Sequence, residues 1–256
     1  MYNLSGLSDN VRDAYIQHAW HDKKPEQLLG VSNDAKTIKG EKLGIRTAIL
    51  YLTPHKISGV NMCPVAPIAQ CDGPCLYSAG RGAMHTVQAS RLRKTLYLTQ
   101  YTEEFKEQIK REIRAHVLLA IRKNMIPAIR LNGTSDIRWE LYLWEFMCEM
   151  HDKYGAIFYD YTKIPNRKIP RPEVYDITFS YSGVEAYQRM YWKARRQGNR
   201  VAVVFRDRNN IPDTWDGLPV VSGDDSDARW LDPQGCVVAL YAKGNARHDT
   251  TGFVID

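Results

Sequence analysis

The stretch AIFYDYTKIPNRKIPRPEVYDITFSYSGVEAYQRMYWKARRQGNRVAVVF, residues 156–205, decides the fold. It holds three short runs of β-branched and aromatic residues: AIFYDY (156–161), YDITFSY (175–181) and RVAVVF (200–205). A helical pattern at 184–197 joins the last two, with Gly183 before it and Gly198 after it. Working outward, similar runs recur upstream at RTAILYL (46–52) and PAIRL (127–131), and downstream at LPVV (218–221) and CVVALY (236–241). Helical patterns lie between or before them. One spans Ser8 to Asp22 with Ser8 or Asn10 as N-cap, one spans Val87 to Leu98, and one covers 138–153. A longer one, EEFKEQIKREIRAHVLLAIRKN, follows a predicted N-cap at Thr102, with acids in its first turn and bases in its last. Short strands alternating with helices predict a mostly parallel sheet covered on both faces. Seven strand runs stand near the eight of a full barrel. The predicted fold class is therefore α/β: an incomplete or irregular (β/α) barrel, mostly parallel, in a single domain over 1–256. An open, doubly wound sheet is the alternative. Residues 1–44 read as a helical or extended lead-in, and 45–256 as the barrel-like core with a cysteine loop at 54–82.

Composition narrows the class. The 256 residues carry 35 Lys+Arg against 29 Asp+Glu, a formal charge of +6, with 44% apolar and 25% charged residues. That is ordinary for a globular protein, and the length buries a sizeable core. No apolar run is long enough for a membrane-spanning helix. MYNLSGLSDNVRDAY lacks the basic and apolar regions of a secretory signal, so a cytoplasmic protein is expected. Fifteen Tyr, six Trp and six Phe argue against disorder.

In either fold, functional groups belong at the carboxyl ends of the strands. After 46–52 comes Thr53-Pro54-His55-Lys56, and after 127–131 comes Asn132-Gly133-Thr134-Ser135-Asp136. Asp160 and Lys163 flank the end of 156–161, Ser182-Gly183 follow 175–181, and Lys243-Gly244 follow 236–241. Asn, Gly, Ser and Asp are also plain turn formers and helix caps, and Asp136 fits as cap of a helix starting near Ile137. The NGTSD turn is richer than capping needs. Asp136, Lys163 and Asp160 are the candidate catalytic groups. Asn132, Ser135, His55, Lys243 and Arg81 are the candidate cofactor-binding groups.

The strongest chemical signal is Cys63-Pro-Val-Ala-Pro-Ile-Ala-Gln-Cys71-Asp-Gly-Pro-Cys75, a C-x7-C-x3-C spacing inside one long loop. Thiolates this close can wrap one soft metal centre. Three thiolates fit an iron–sulfur cluster with one open iron. They also fit zinc with a fourth ligand from Cys236, Cys148, His55 or His85, or three reduced cysteines without metal. Cys148 lies mid-helix and Cys236 starts an apolar strand, so both read as core thiols. Arg81, in Ala79-Gly80-Arg81-Gly82 at the loop's end, can pair with a phosphate or carboxylate.

The order SGVNMCP, CDGPCLYSAGRG, ASRLRKT, IRLNGTSDIRWE and YDYTK resembles a family of bacteriophage and prophage proteins, similar to the phage gene-product-88-like group. The resemblance covers roughly residues 45–182. It implies a distant likeness to radical S-adenosylmethionine enzymes: a barrel with a three-cysteine loop after the first strand, in which Cys63, Cys71 and Cys75 hold a 4Fe-4S cluster and S-adenosylmethionine is the further cofactor. The spacing departs from the usual C-x3-C-x2-C of such enzymes. NGTSD also stands where their Gly-Gly-Glu segment falls.

Basic groups occur at Arg91-Arg93-Lys94, Lys163-Arg167-Lys168-Arg171 and Arg195-Arg196-Arg200. With Tyr159 and Tyr161, the middle group makes loop 159–171 a candidate contact for DNA or a nucleotide, although such groups are as often solvated faces. Two functions follow. One is a phage-type iron–sulfur enzyme of radical-S-adenosylmethionine-like architecture acting on a nucleotide or nucleic acid, in the host cytoplasm. The other is a zinc-stabilised nucleic-acid-binding or base-modifying barrel protein, transglycosylase-like, without redox chemistry.

Overall fold

All seven apolar runs become strands of one sheet, within a residue or two of their expected bounds. A computed structural model describes residues 2–18, 24–31 and 35–256. Along the chain come α1 (Asp9–His18), β1 (Leu29–Val31), α2 (Ala35–Lys42), β2 (Ile45–Leu50), α3 (Ala66–Ala69), α4 (His85–Gln100) and α5 (Thr102–Arg122). Then follow β3 (Ile126–Arg130), α6 (Glu140–Tyr154), β4 (Ile157–Thr162), β5 (Tyr175–Ser180), α7 (Gln188–Arg196), β6 (Val201–Phe205), β7 (Thr214–Trp215), β8 (Leu218–Ser222) and β9 (Val237–Tyr241). The helix expected over Ser8 to Asp22 is described as far as His18; the rest of that range lies outside the described residues.

The sheet order is β1-β2-β3-β4-β5-β6-β9-β8-β7. From β2 to β6 each strand is added beside the one before it, all parallel, and β9 and β8 continue the parallel set. The order does not reverse between β2 and β6, as a doubly wound sheet requires. The barrel does not form either. Antiparallel β1 takes one edge and antiparallel β7 the other, so the sheet stays open.

The sheet is covered on both faces: α4, α5, α6 and α7 pack on one, and the β8–β9 connection lies on the other, with α2 beside Ile45. Strand alternation sends Leu50, Ile129, Phe158 and Tyr175 toward α4, α5 and α6, where they join Leu96, Phe105, Ile109, Ile113, Trp139 and Met147 in the main core. Farther along, Phe179, Val201, Val203 and Val237 pack with Tyr187, Tyr191 and Ala194 around α7. The opposite face carries Ala128, Tyr159, Ala202 and Val238 and is filled by the β8–β9 connection. From that connection Trp230 lies 5.0 Å from the Tyr159 ring, and Asp227 accepts from Tyr159 Oη at 2.9 Å. Arg200 crosses this face to Asp176 at 2.8 Å and to the Asp232 carbonyl at 3.2 Å. The lead-in belongs to the main core through Tyr2, Leu7, Tyr15, Leu28 and Leu29.

The long helix α5 follows from its sequence: Glu103 and Glu104 open it, Arg122 closes it, and Phe105, Ile109, Ile113, Val117 and Ala120 form one buried stripe. Thr102 does not cap it. Tyr101 holds the N-cap position, Thr102 is already the first residue of the helix, and its hydroxyl donates back to the Leu98 carbonyl of α4 at 2.9 Å. No helix among the described residues is long and apolar enough to cross a membrane.

Phe105 is fully buried, stacked on Trp139 and tilted against Tyr97, with ring centres at 6.2 and 5.6 Å. Phe105→Ala is expected to cost about 3–5 kcal/mol through lost apolar burial and a cavity. Urea titration checks it as a lower midpoint at unchanged slope.

Candidate functional site

The loop after β2 lies across the carboxyl ends of the other parallel strands and is tied to them by hydrogen bonds. The Cys63 thiol donates to the Thr134 carbonyl at 3.8 Å, and Asp136 N–H donates to the Met62 carbonyl at 2.9 Å, both in the turn after β3. Ser182, after β5, donates from Oγ to the Ala69 carbonyl at 2.8 Å. Asn245, after β9, donates its N–H to Ser78 Oγ at 3.3 Å.

Within this rim Cys63, Cys71 and Cys75 are half-buried and none is in a disulfide. Their thiols sense one another electrostatically, and all three sense Lys163. Burial pushes the Cys63 thiol up to about 12 and the Cys71 thiol to about 11, and raises Cys75 as well. The Lys163 ammonium donates to Ser180 O at 3.2 Å, to Ser180 Oγ at 3.1 Å and to Tyr181 O at 3.1 Å. It also stands 4.7 Å from the Phe253 ring centre. Burial lowers its pKa against the pull of Cys71, Asp136, Cys75 and Cys63. Asp136 accepts from Thr162 Oγ1 at 2.7 Å and from Lys163 N–H at 2.8 Å. Burial raises its pKa despite the nearby Arg167, whose Nη1 lies 3.5 Å from it. Among the described residues, no three His, Cys, Asp or Glu side chains stand in metal-ligating geometry.

Beneath the rim the candidate polar groups are held by the protein itself. Asn132 Oδ1 accepts from Ser135 Oγ (2.9 Å), Ile137 N–H (2.9 Å) and Trp139 Nε1 (3.2 Å). Asn132, rather than Asp136, therefore receives the Ile137 N–H, and Asp136 is freed to hold the β4 end. Asn132 also donates its N–H to Asp160 at 2.8 Å and its amide to Asp160 at 3.1 Å. Asp160 completes its set with the Tyr175 hydroxyl at 2.7 Å and the Arg130 guanidinium at 3.9 Å. Burial lifts its carboxyl to about 6, chiefly against the pull of Arg130. Gly133 is required here, because a Cβ would come within 2.5 Å of the Tyr51 ring.

The other candidates scatter. His55 adopts a positive φ of 49° at the start of the cysteine loop, with Nε2 buried and without a hydrogen-bond partner among the described residues. Lys243 pairs with Asp224 at 3.5 Å. Arg81 is exposed. Among the zinc-ligand candidates, Cys236 sits at the amino end of β9 inside a small apolar cluster, Cys148 packs on α6 against the main core, and exposed His85 stacks on His18 at 4.8 Å. The basic loop is mostly paired within the protein: buried Arg167 bonds Glu140 at 2.7 Å and Tyr175 at 2.7 Å, and Arg171 pairs at the surface with Asp152 at 2.8 Å. Lys163 and Tyr159 are buried and only Lys168 of the four bases is exposed. The Arg167–Glu140 pair and Tyr187, which donates to Lys163 O at 3.0 Å, went unread in the sequence; Arg167 was visible there only as one of a run of bases.

Fold and rim together define a singly wound α/β protein with three reduced cysteines over a polar floor at its strand ends. The family model for gene product 88 matches residues 27–256, and the chain belongs to that family, a phage-type group. No curated protein and no solved structure matches the chain. No finding shows a tie to radical S-adenosylmethionine enzymes.

Two outcomes follow from these environments. With no metal bound, all three rim thiols are expected to alkylate with iodoacetamide at pH 8 at least about tenfold more slowly than a free cysteine peptide, because little thiolate forms. Site-resolved mass spectrometry reads this. For Asp160, the folded chain binds a proton between about pH 4 and 6 that the unfolded chain has released. Stability therefore falls as pH rises through that window, by up to about 3 kcal/mol. Asp160→Asn is expected to remove that part of the slope, measured by urea midpoints from pH 4 to 7.

Proposed function

We propose that the chain is an iron–sulfur enzyme in which thiolates from Cys63, Cys71 and Cys75 hold a 4Fe-4S cluster, with its fourth iron open to S-adenosylmethionine or substrate. The observation that carries this is three reduced, half-buried thiols carried by one loop over the carboxyl rim, each within electrostatic reach of Lys163. The donor set fits the group. Thiolates are costly to form in so dry a site, and a bound centre carrying several positive irons offsets that cost. The loop follows the first strand of the parallel set, which is the place a radical-S-adenosylmethionine-like enzyme uses, and it is tied to the ends of β3 and β5. Metal loading orders such loops and draws their ligands together. When bound, the cluster supplies a single electron to a ligand on its open iron.

The chain's own residues would then act around that centre. Lys163 holds a proton at Nζ within the rim and offsets the thiolate charge. Asp136 orients Lys163 through the backbone and fixes the cysteine loop against β4. Most bases of loop 159–171 are engaged within the fold, so the reading rests on the thiols, and the nucleotide or nucleic acid stays the proposed substrate class on charge alone.

Anaerobic purification of the full chain, with metal and sulfide analysis, tests this. The expected result is a brown protein with about four iron and four labile sulfide per chain. Cys63→Ser, Cys71→Ser or Cys75→Ser each strips the cluster, and Cys148→Ser keeps it. One zinc per chain without iron overturns the proposal in favour of a zinc-stabilised, non-redox protein, and a chain without bound metal overturns both.

A further inference from the structure

Most buried arginines of this protein come with an acid. Arg130 has Asp227 at 3.0 Å, Arg167 has Glu140 at 2.7 Å, Arg200 has Asp176 at 2.8 Å and Arg229 has Asp232 at 2.9 Å. Arg91, reaching from α4 beneath the cysteine loop, has none among the described residues. Its guanidinium lies between two rings, 4.8 Å from the Tyr51 centre and 5.6 Å from Tyr77. Its Nε and Nη1 are buried and have no hydrogen-bond partner among the described residues. The groups whose charge it senses are Tyr51, Tyr77 and Cys75, with no carboxylate among them.

The surroundings keep this slot in shape. Tyr51 is backed by Gly133, where a side chain would strike its ring. On the far side stands Gly82, where a Cβ would come within 3.2 Å of Arg91 Nη1 and 3.0 Å of the Tyr77 carbonyl. Two glycines from separate turns thus hold a cation between aromatic faces. A planar guanidinium fixed this way has its fork of donors ready for a planar or tetrahedral oxyanion, and a largely buried cation with no carboxylate beside it among the described residues favours binding one.

We propose that Arg91 anchors an oxyanion-binding site beside Cys75, taking the carboxylate or phosphate group of the protein's ligand. The site needs no metal, so it stands or falls separately from the cluster. The rings of Tyr51 and Tyr77 orient the guanidinium, which donates to the anion.

Thermal melting of the full chain in inorganic phosphate, in acetate and in chloride at equal ionic strength tests the site, with the two oxyanions separating the phosphate source from the carboxylate source. Wild type is expected to gain a saturable rise of about 2–4 °C or more in at least one oxyanion over chloride. Arg91→Gln loses that rise, and exposed Lys153→Gln keeps it. In chloride alone Arg91→Gln melts no lower than wild type, because the charge it removes was uncompensated; a residue serving only to stack would weaken the protein in every buffer. Equilibrium dialysis of wild type against labelled phosphate and acetate repeats the test without any variant. No oxyanion response in wild type, or a response that Arg91→Gln retains, overturns the proposal.

Discussion

Asp136 ties three separate parts of the chain at one point. Its N–H bonds the cysteine loop at Met62, its carboxylate receives Thr162 and Lys163 at the end of β4, and Arg167 stands beside it. Burying that carboxylate is costly unless its oxygens are met by donors. The β3 turn, the loop and β4 must therefore keep their places together. The rim of half-buried thiols exists because this point holds the loop down on the strand ends.

A second layer keeps the point itself rigid. Asn132 satisfies three donors with one oxygen and passes two of its own to Asp160, which also receives Tyr175. Arg167 joins Glu140, Tyr175 and Asp136 from the far side. Removing one partner from such a buried set strands the charge or donor left behind, and that loss outweighs the modest net gain of forming the pair. The polar residues of the NGTSD turn thus act first as the floor of the site. The three thiols and Arg91 are the groups left facing what the site holds, with the bonded Lys163 ammonium beside the thiols.

Much of this was legible in the residues, for identifiable reasons. Buried parallel strands carry continuous apolar runs, so RTAILYL, PAIRL, AIFYDY, YDITFSY, RVAVVF, LPVV and CVVALY each announced a strand. Openness was not legible, because it turns on Leu29–Val31 and Thr214–Trp215, segments too short to show a period, which take the edges in antiparallel sense. Nor was the filling of the face opposite α4 to α7: the segment there reads SDARWLDP, a polar loop, until Tyr159 and Arg200 are seen to bond to it. Cysteine spacing pointed to the rim at once. The capping role of Asn132 and the inward commitment of Arg167 were hidden, since both depend on partners that only folding brings near. Arg91 looked like one base on a helix face; its lack of an acid is a property of the folded state alone.

The central claim is that three rim thiols close on one iron centre. X-ray absorption at the iron edge of the anaerobically purified chain tests this most directly. The account predicts a first shell dominated by sulfur with a short iron–iron scatterer behind it, and loss of both in Cys75→Ser. Iron surrounded by oxygen and nitrogen without a neighbouring iron, or no iron signal at all, would contradict it.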